Sequence, residues 1–443
     1  MMRRRLATAI GSAVFLATAW TVDHAAAPDG FGPGARVLVD AHNCYPEHGR
    51  YADRIERALS TGLPVAIEQD LVWWKDPKTG TGHSLIAHSE PFTGQEPTLE
   101  RHFFERIRPL VEQALKDDRR AEWPLIVLNL DLKSNEPAHH AAIWATLGKY
   151  EAWLTTAERT ADGSRPAPLD VKPVLVLTGN DASQQVDFHD KVAVGGRLRA
   201  FGAIPVDVEA KVGRGKEAIP KLAGLSADDL IASGPTNYRR WVNFPWAVVE
   251  RGGQNEAGPW TPQDAARLSM LTTRAHALGL WIRFYTLNGH SAADDQGWTA
   301  SYNFGSPAAA ETRWRAARDA GVDFIASDQY EALARTIGKP APAMGMDDHD
   351  GPWAPATPGA AAVPPADPSA KPGVQGGGIT LLPNGWRISP IGRHLQAGDL
   401  PLAMIAAPDR RFLILTNNGY SKPTLTVVDT QNWAIKALSL IHI

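Results

Sequence analysis

The sequence predicts an α/β fold, a (β/α)8 TIM barrel that is followed by a linker and a short β-rich segment. From residue 36 to about residue 339, short apolar runs alternate with longer stretches of helical periodicity, which is typical of a parallel sheet with helices on both faces. Polar residues interrupt several apolar runs at their carboxyl ends, where barrel enzymes carry their catalytic groups. A doubly wound open sheet is the alternative, but the chain has no glycine-rich phosphate loop that favours it.

The predicted elements of the barrel follow one another along residues 28–340. Strands are predicted over residues 36–40, 64–70, 83–88, 125–133, 173–177, 246–249, 280–285 and 323–327. Helices are predicted over residues 51–60, 99–115, 138–157, 262–278, 308–320 and 330–337.

The first 27 residues resemble an export signal. Residues 3–5 are arginines, residues 6–20 are mostly apolar, and residues 25–27 are alanines that suit cleavage. A membrane anchor is the alternative, but this apolar run is short for a bilayer span. We therefore expect export, to the periplasm or out of the cell.

The net charge and the number of cysteines each exclude one kind of site. The formal net charge of −3 gives no basic field that would attract nucleic acid, so we expect no nucleic-acid partner. The chain has one cysteine, Cys44, which excludes an intrachain disulfide and a cysteine metal cluster.

The C-terminal part differs from the barrel region in amino-acid composition and in its pattern of apolar residues. Residues 341–378 are rich in proline, alanine and glycine, which predicts a linker. Residues 379–437 contain short β-rich runs between turn signals and resemble the opening blade of a YVTN-type β-propeller. Because one blade cannot bury its own faces, we expect an incomplete β-propeller that binds another partner when whole. Residues 438–443 resemble translated adaptor sequence, and a plain β-strand is the alternative.

Carboxylates and a lysine lie at the carboxyl ends of two of the predicted strands. Since side chains alternate along a strand, Glu68 and Asp70 share one face, as do Asn129, Asp131 and Lys133. Three carboxylates at one barrel mouth repel one another unless a cation lies among them. Oxygen ligands suit a hard ion, so we expect one divalent cation, Mg²⁺ or Ca²⁺. An isolated Glu-x-Asp pair is more often a solvated loop, and the second set at Asp131 favours the metal site.

Two histidines, His42 and His88, close predicted strands beside these carboxylates. An imidazole titrates near neutral pH, so one histidine can donate a proton to a leaving oxygen while the other accepts one from the nucleophile. Arg283 lies on a predicted barrel strand on the same face as Tyr285, where an arginine needs a carboxylate or phosphate partner. We expect Arg283 to contact phosphate.

The motifs together resemble the superfamily of phospholipase-C-like phosphodiesterases. That superfamily includes glycerophosphodiester phosphodiesterases, bacterial phosphatidylinositol phospholipase C and the sphingomyelinase D toxins. The similar segments are AHNCY, RIERALSTGLPVAIEQDLVW, AHSEP, NLDLKS, FYTLN and GVDFIASDQ. The match covers most of residues 36–337.

The resemblance implies a role for each matching residue. It implies His42 and His88 as catalytic acid and base, and Glu68, Asp70 and Asp131 as metal ligands. The implied substrate contacts are Asn43, which replaces a usual arginine, and Lys133, Tyr285 and Asn288.

The function expected from these residues is metal-dependent hydrolysis of a glycerophosphodiester or phospholipid-like substrate, with peripheral membrane contact. One alternative is a catalytically idle barrel–propeller module that binds surfaces. Another is a glycosidase that uses Glu68 and Asp131 without a metal, although the paired histidines argue against it.

Overall fold

A computed structural model describes most of the barrel and the strands of the C-terminal segment. The described residues are 30–206, 211–213, 217–251, 257–291, 302–338, 373–374, 380–381, 387–388, 395, 401–407, 411–417, 423–432 and 434–440. The chain divides into two compact units, Met1–Asp347 and Asp348–Ile443. The predicted export signal and most of the predicted linker lie outside the described residues. Within the described part, no helix is both long and apolar enough to cross a membrane.

The first unit contains a closed parallel barrel. The strands of this unit, inside and outside the barrel, are β1 (Leu38–Ala41), β2 (Val65–Lys75), β3 (Gly82–Ile86), β4 (Ile126–Leu132), β5 (Thr156–Glu158), β6 (Leu169–Asp170), β7 (Val174–Thr178), β8 (Arg197–Leu198), β9 (Phe201–Ala203), β10 (Arg239–Pro245), β11 (Trp281–Tyr285) and β12 (Phe324–Ser327). Eight of them pair in parallel in the order β1, β2, β4, β7, β9, β10, β11, β12, and β12 pairs with β1. This closure confirms the predicted TIM barrel. Strand β3 pairs antiparallel with the outer half of β2, and β5, β6 and β8 form a small separate sheet.

Helices surround the barrel. They are α1 (Arg54–Leu59), α2 (Glu105–Asp117), α3 (Pro137–Lys149), α4 (Ala182–Gln185), α5 (Ile219–Leu222), α6 (Ala227–Leu230), α7 (Pro262–Ala277), α8 (Pro307–Asp319) and α9 (Tyr330–Thr336). Single turns of π-helix or 3-10 helix cover Glu100–Phe104, Arg120–Glu122, Glu151–Trp153, Val186–Asp190 and Trp246–Val248. Helix α7 begins where Thr261 and Asp264 form a reciprocal capping box around Pro262 at the first helical position.

Strand alternation produces two hydrophobic cores. Outward side chains such as Ile67, Leu128 and Leu130 pack against the helices. Inward side chains of the earlier strand positions, including Trp241 and Trp281, fill the barrel interior. The later inward positions are polar, which places the functional groups at the carboxyl-terminal mouth.

The structure corrects two strand predictions. Residues 83–86 do lie in a strand, β3, but it pairs antiparallel with β2 as a hairpin and is not a barrel strand. Residues 246–249 form a 3-10 turn after Pro245, since a short buried apolar run has the same pattern in either conformation. The sequence also gives no signal for β9, whose Gly202 has no side chain. An added Cβ there would lie 2.4 Å from the Tyr238 ring, so the glycine allows that ring to pack on the strand.

All regular elements described in the C-terminal unit are β-strands. Its strands are β13 (Gly373–Val374), β14 (Thr380–Leu381), β15 (Arg387–Ile388), β16 (Pro401–Ala406), β17 (Phe412–Asn417), β18 (Thr424–Asp429) and β19 (Ala434–Leu440). Strands β16 to β19 form one antiparallel sheet in chain order, as the β-rich pattern predicts. The propeller assignment stays a prediction. The adaptor assignment also stays a prediction; residues 438–440 lie in β19, and residues 441–443 are outside the described part.

Substitution of Gly82 by alanine is expected to lower the free energy of unfolding by about 1–3 kcal/mol, because overpacking forces neighbouring groups to move. The new Cβ would lie 2.0 Å from the Trp73 ring, which packs over this glycine. Chemical denaturation measures the change. Gly32→Ala is the control, since its Cβ would meet nothing within 4 Å. Equal stability of the two variants would contradict this packing.

Acid is expected to destabilise the barrel through His139. Its Nδ1 lies 2.9 Å from the Ser134 carbonyl oxygen and its Nε2 lies 2.9 Å from Ser84 Oγ, and burial lowers its pKa to about 4. The unfolded chain takes up this proton near pH 6.5, so stability present above pH 6.5 is lost as the pH falls towards 4. The loss should reach about 2 kcal/mol at pH 5. Urea unfolding at pH 7 and pH 5 should show a smaller difference for His139→Gln, but not for His83→Gln at an exposed position.

Candidate active site

The parallel register of β2 and β4 brings the predicted carboxylates together. Asp70 pairs with Asp131, and Glu68 pairs with Asn129. Oxygen atoms of Glu68, Asp70 and Asp131 lie within 4.8 Å of one another. Glu68 and Asp70 are buried, whereas the Asp131 side chain is 47% exposed. The predicted alternation of faces on both strands is therefore confirmed.

This cluster could hold a metal ion. Asp70 Oδ1 is buried and has no hydrogen-bond donor in the described part of the chain. Burial, together with the charges of Asp131 and Glu68, raises the pKa of Asp70 well above its usual range. The Lys133 ammonium lies 3.0 Å from Asp70 Oδ2 and 2.7 Å from Asp131 Oδ2, so it neutralises part of the cluster. An incompletely balanced, oxygen-only set fits Mg²⁺ or Ca²⁺.

Beneath the cluster, Arg283 connects three strands inside the barrel. Its guanidinium donates to Asp40, to Asn243 Oδ1 at 3.1 Å and to Glu68 Oε1 at 3.2 Å. Burial opposes ionisation of Glu68, but the positive charges of His42 and Arg283 outweigh it and lower the pKa of Glu68 to about 2. Arg283 thus holds Glu68 ionised and fixed, and its predicted contact with phosphate stays a prediction.

His42 lies just after β1 and is held by a carboxylate that the sequence analysis missed. His42 Nδ1 lies 2.7 Å from Asp328 Oδ1, and Nε2 lies 3.6 Å from Glu68 Oε2. Burial opposes protonation, but Glu68 and Asp328 outweigh it and raise the pKa of His42. The signal for Asp328 was present, since it is a polar residue directly after β12, as His42 is after β1.

Two asparagines fix this arrangement. Asn43 has a left-handed φ of 52°, and its backbone N–H donates to Glu68 Oε2 at 2.9 Å. Its side-chain amide donates to both oxygens of Asp328 at 3.1 and 3.2 Å. Asn288 Oδ1 accepts from the Asp328 backbone N–H at 2.7 Å and from the Ser327 hydroxyl at 2.9 Å. Both asparagines therefore help to fix Asp328, and their substrate contacts stay predictions.

His88 reaches the same cavity from the hairpin of β2 and β3. Its Nε2 lies 4.0 Å from Asp70 Oδ2, and its ring stacks on Tyr45 with centroids 6.5 Å apart. The side chain is 37% exposed. Burial and the Lys133 charge lower the pKa of His88, which favours the neutral imidazole.

The histidines and the carboxylates line one cavity of about 630 Å³ at the barrel mouth. Tyr285, which was predicted to face substrate, lines this cavity and stacks on His42 with centroids 6.3 Å apart. Burial raises the pKa of Tyr285 to about 12, so its hydroxyl stays protonated. Tyr302 also lines the cavity, 5.9 Å from the His42 ring centroid. Tyr302 was not predicted, because no strand pattern in the sequence leads up to it.

Comparisons with known proteins give no family. No family model matches the chain, and no curated protein matches it. A glycerophosphoryl diester phosphodiesterase structure from Parabacteroides distasonis aligns at 14% identity over 71% of this chain and 90% of its own, with a TM-score of 0.32. A dihydropteroate synthase structure from Burkholderia cenocepacia aligns at 14% identity over 68% and 89%, with a TM-score of 0.31. Likenesses this weak carry no argument about activity. The strand topology defines a TIM barrel, and its mouth holds an acidic cluster that could bind a metal.

Replacement of Asp328 by asparagine is expected to lower the pKa of His42 by about 1 in metal-free protein, because the substitution removes a buried negative charge 2.7 Å away. An NMR titration of the imidazole measures this value. Asp319→Asn, which removes an exposed carboxylate on α8, serves as the control. An unchanged His42 pKa in Asp328→Asn would contradict the pairing.

Proposed function

We propose that this protein is an exported phosphoric diester hydrolase that requires one divalent cation and uses His42 and His88 as its acid–base pair. The observation that carries the proposal is the placement of two histidines beside a cluster of three carboxylates in one cavity. A phosphodiester needs both components, since its charge must be neutralised while protons move at two oxygens. The barrel mouth is where enzymes of this fold act.

The environments of the histidines suggest opposite roles. His42 has a raised pKa and enters the reaction protonated, so its Nε2 can donate to the leaving oxygen as the P–O bond breaks. His88 has a lowered pKa and can accept the proton of the attacking hydroxyl as the new P–O bond forms. The attacking group is either water or a hydroxyl of the substrate beside phosphorus. Such acid–base catalysis contributes roughly 10²–10⁴-fold in rate.

Positive groups on one side of the cavity would balance the negative charge of the phosphate. Glu68, Asp70 and Asp131 would hold Mg²⁺ or Ca²⁺, which would neutralise the non-bridging phosphate oxygens. Lys133 lies next to two of these ligands, and its ammonium can donate to the same oxygens. Asp328 and Tyr285 would keep the His42 ring oriented.

The glycosidase alternative receives less support from this geometry. Glu68 is held ionised by Arg283, which suits a ligand and not a proton donor. Its carboxylate oxygens also approach Asp131 within 4.8 Å, whereas glycosidase carboxyl pairs lie about 5 Å or more apart. The idle-module alternative predicts no turnover, so the assay below decides it.

Hydrolysis of bis-p-nitrophenyl phosphate by the full chain is expected to require a divalent cation and both histidines. His42→Ala and His88→Ala should each lower kcat by about 10²-fold or more. Asp131→Asn should raise the Mg²⁺ or Ca²⁺ concentration needed for half-maximal rate, because it removes a ligand charge. EDTA should abolish activity, and the added metal should restore it.

His83→Ala is the matched control, since His83 is an exposed histidine on the outer side of the same hairpin. Full activity in EDTA would refute the metal requirement. Absence of turnover on phosphodiesters, with metal supplied and the fold verified by circular dichroism, would favour the idle binding module.

Export is proposed from residues 1–27 alone. Expression of the full chain in a bacterial host, followed by fractionation and N-terminal sequencing, should find a periplasmic or secreted product that begins near residue 28. A cytoplasmic product with an intact N-terminus would contradict export.

A further inference from the structure

The peptide group between His42 and Asn43 is held on both sides by other elements of the barrel. The Tyr330 hydroxyl, on α9, donates to the His42 carbonyl oxygen at 2.8 Å. On the opposite side of the same peptide, the Asn43 N–H donates to Glu68 Oε2, on β2, at 2.9 Å. All four residues are buried. Because a peptide group is planar, a rotation that breaks one of these hydrogen bonds also breaks the other.

Two further buried donors hold the carbonyl groups that come next in this turn. Arg54, the first residue of α1, donates to the Asn43 carbonyl oxygen, and the Gln69 amide on β2 donates to that of Cys44. The left-handed φ of Asn43 is uncommon for a residue other than glycine, and such a conformation persists only where its surroundings fix it. Three consecutive carbonyl groups are thus fixed by side chains from α9, α1 and β2.

Tyr330 is itself held in place. Its side chain is fully buried, and the Arg57 guanidinium lies 5.3 Å from its ring centroid. Arg57 forms two hydrogen bonds with Glu331, at 2.7 and 2.9 Å, which join α1 to α9. Asp328, two residues before Tyr330, holds the His42 ring. One short segment after β12 therefore contacts His42 twice, at its side chain and at its backbone.

We propose that Tyr330 and Arg54 are positioning residues for the reaction, which fix the turn after β1 and keep His42 Nε2 beside Glu68, 3.6 Å from its Oε2. The inference rests on the proposed function for the role of His42. Neither Tyr330 nor Arg54 is among the described residues that line the cavity, so both act through His42 and not on the substrate. A displacement of a catalytic group by about 1 Å can lower a rate about 10²-fold, so the loss of one hydroxyl should be visible in kcat.

The test compares Tyr330→Phe with Tyr238→Phe in the full chain. Both substitutions remove one oxygen from a fully buried tyrosine, since the Tyr238 hydroxyl is hydrogen-bonded to Thr178 Oγ1 at 2.7 Å. With bis-p-nitrophenyl phosphate and added metal, Tyr330→Phe should lower kcat about tenfold or more. The KM should change by less than about twofold, because the groups that contact the substrate remain. Tyr238→Phe should keep the wild-type kcat, and equal kcat values in the two variants would overturn the inference.

Amide hydrogen exchange tests the contact without turnover. The Asn43 N–H should exchange about tenfold faster or more in Tyr330→Phe, relative to the amides of β4, because its peptide has lost one of two hydrogen bonds. A purely structural role for Tyr330 would speed exchange at both places alike. Unchanged exchange at Asn43 relative to β4 would overturn the inference.

Arg54 provides a second pair of variants if Tyr330→Phe folds poorly. Arg54→Met removes the donor to the Asn43 carbonyl oxygen and should lower kcat about tenfold, whereas Arg54→Lys keeps a donor and should recover part of the rate. A wild-type kcat in Arg54→Met would overturn the inference.

The outcomes separate the two proposals. If the wild-type chain hydrolyses no phosphodiester, the proposed function fails, and exchange at Asn43 still decides whether Tyr330 holds the turn. If the wild-type chain is active and the variants match it in kcat, the proposed function stands and the inference falls.

Discussion

Charge balance at the barrel mouth is the constraint on which the rest of the site depends. Among the described residues, Glu47, Glu68, Asp70 and Asp131 line the cavity with carboxylates, and Asp40 and Asp328 lie behind them against Arg283 and His42. Three cationic groups accompany them, namely Arg283, Lys133 and a protonated His42. The carboxylates outnumber these cations, which favours a bound cation among them. Buried charges are costly unless they are paired, so this imbalance explains why the carboxyl of Asp70 holds a raised pKa when no metal is bound.

The two histidines differ in how firmly the structure holds them. His42 is anchored from behind by Asp328, which Asn43 and Asn288 hold in turn, so its ring has little freedom. His88 stands on the hairpin and is more exposed. In the proposed function, a fixed acid and a more accessible base suit a reaction in which the leaving group is buried and the nucleophile arrives from solvent. The buried hydrogen bonds around Asp328 therefore fix the position of the His42 ring, which apolar side chains could not do.

The sequence was sufficient for the groups that depend on strand alternation. Glu68, Asp70 and Asp131 sit on regular strands, so period-two geometry and parallel pairing place them correctly. It was insufficient for Asp328 and Tyr302, whose positions depend on how distant segments close over β1. The contact between Asp328 and His42 joins residues 286 apart, and local patterns carry no such information. Strand β9 was not predicted for a related reason. Glycine has low strand propensity, and Gly202 is required here because the Tyr238 ring packs directly against it.

Strand β2 runs without interruption from the barrel into the hairpin, and its eleven residues have a consequence for how this site can diversify. The backbone N–H of Ala87 donates to the carbonyl oxygen of Asp70 at 3.1 Å, which ties the base of the hairpin beside His88 to a candidate metal ligand. The tip at residues 76–81 extends away from this tie. Insertions, deletions or substitutions at the tip can therefore accumulate without altering the spacing between Asp70 and His88. The hairpin tip can therefore change in evolution while the geometry of the candidate site stays the same.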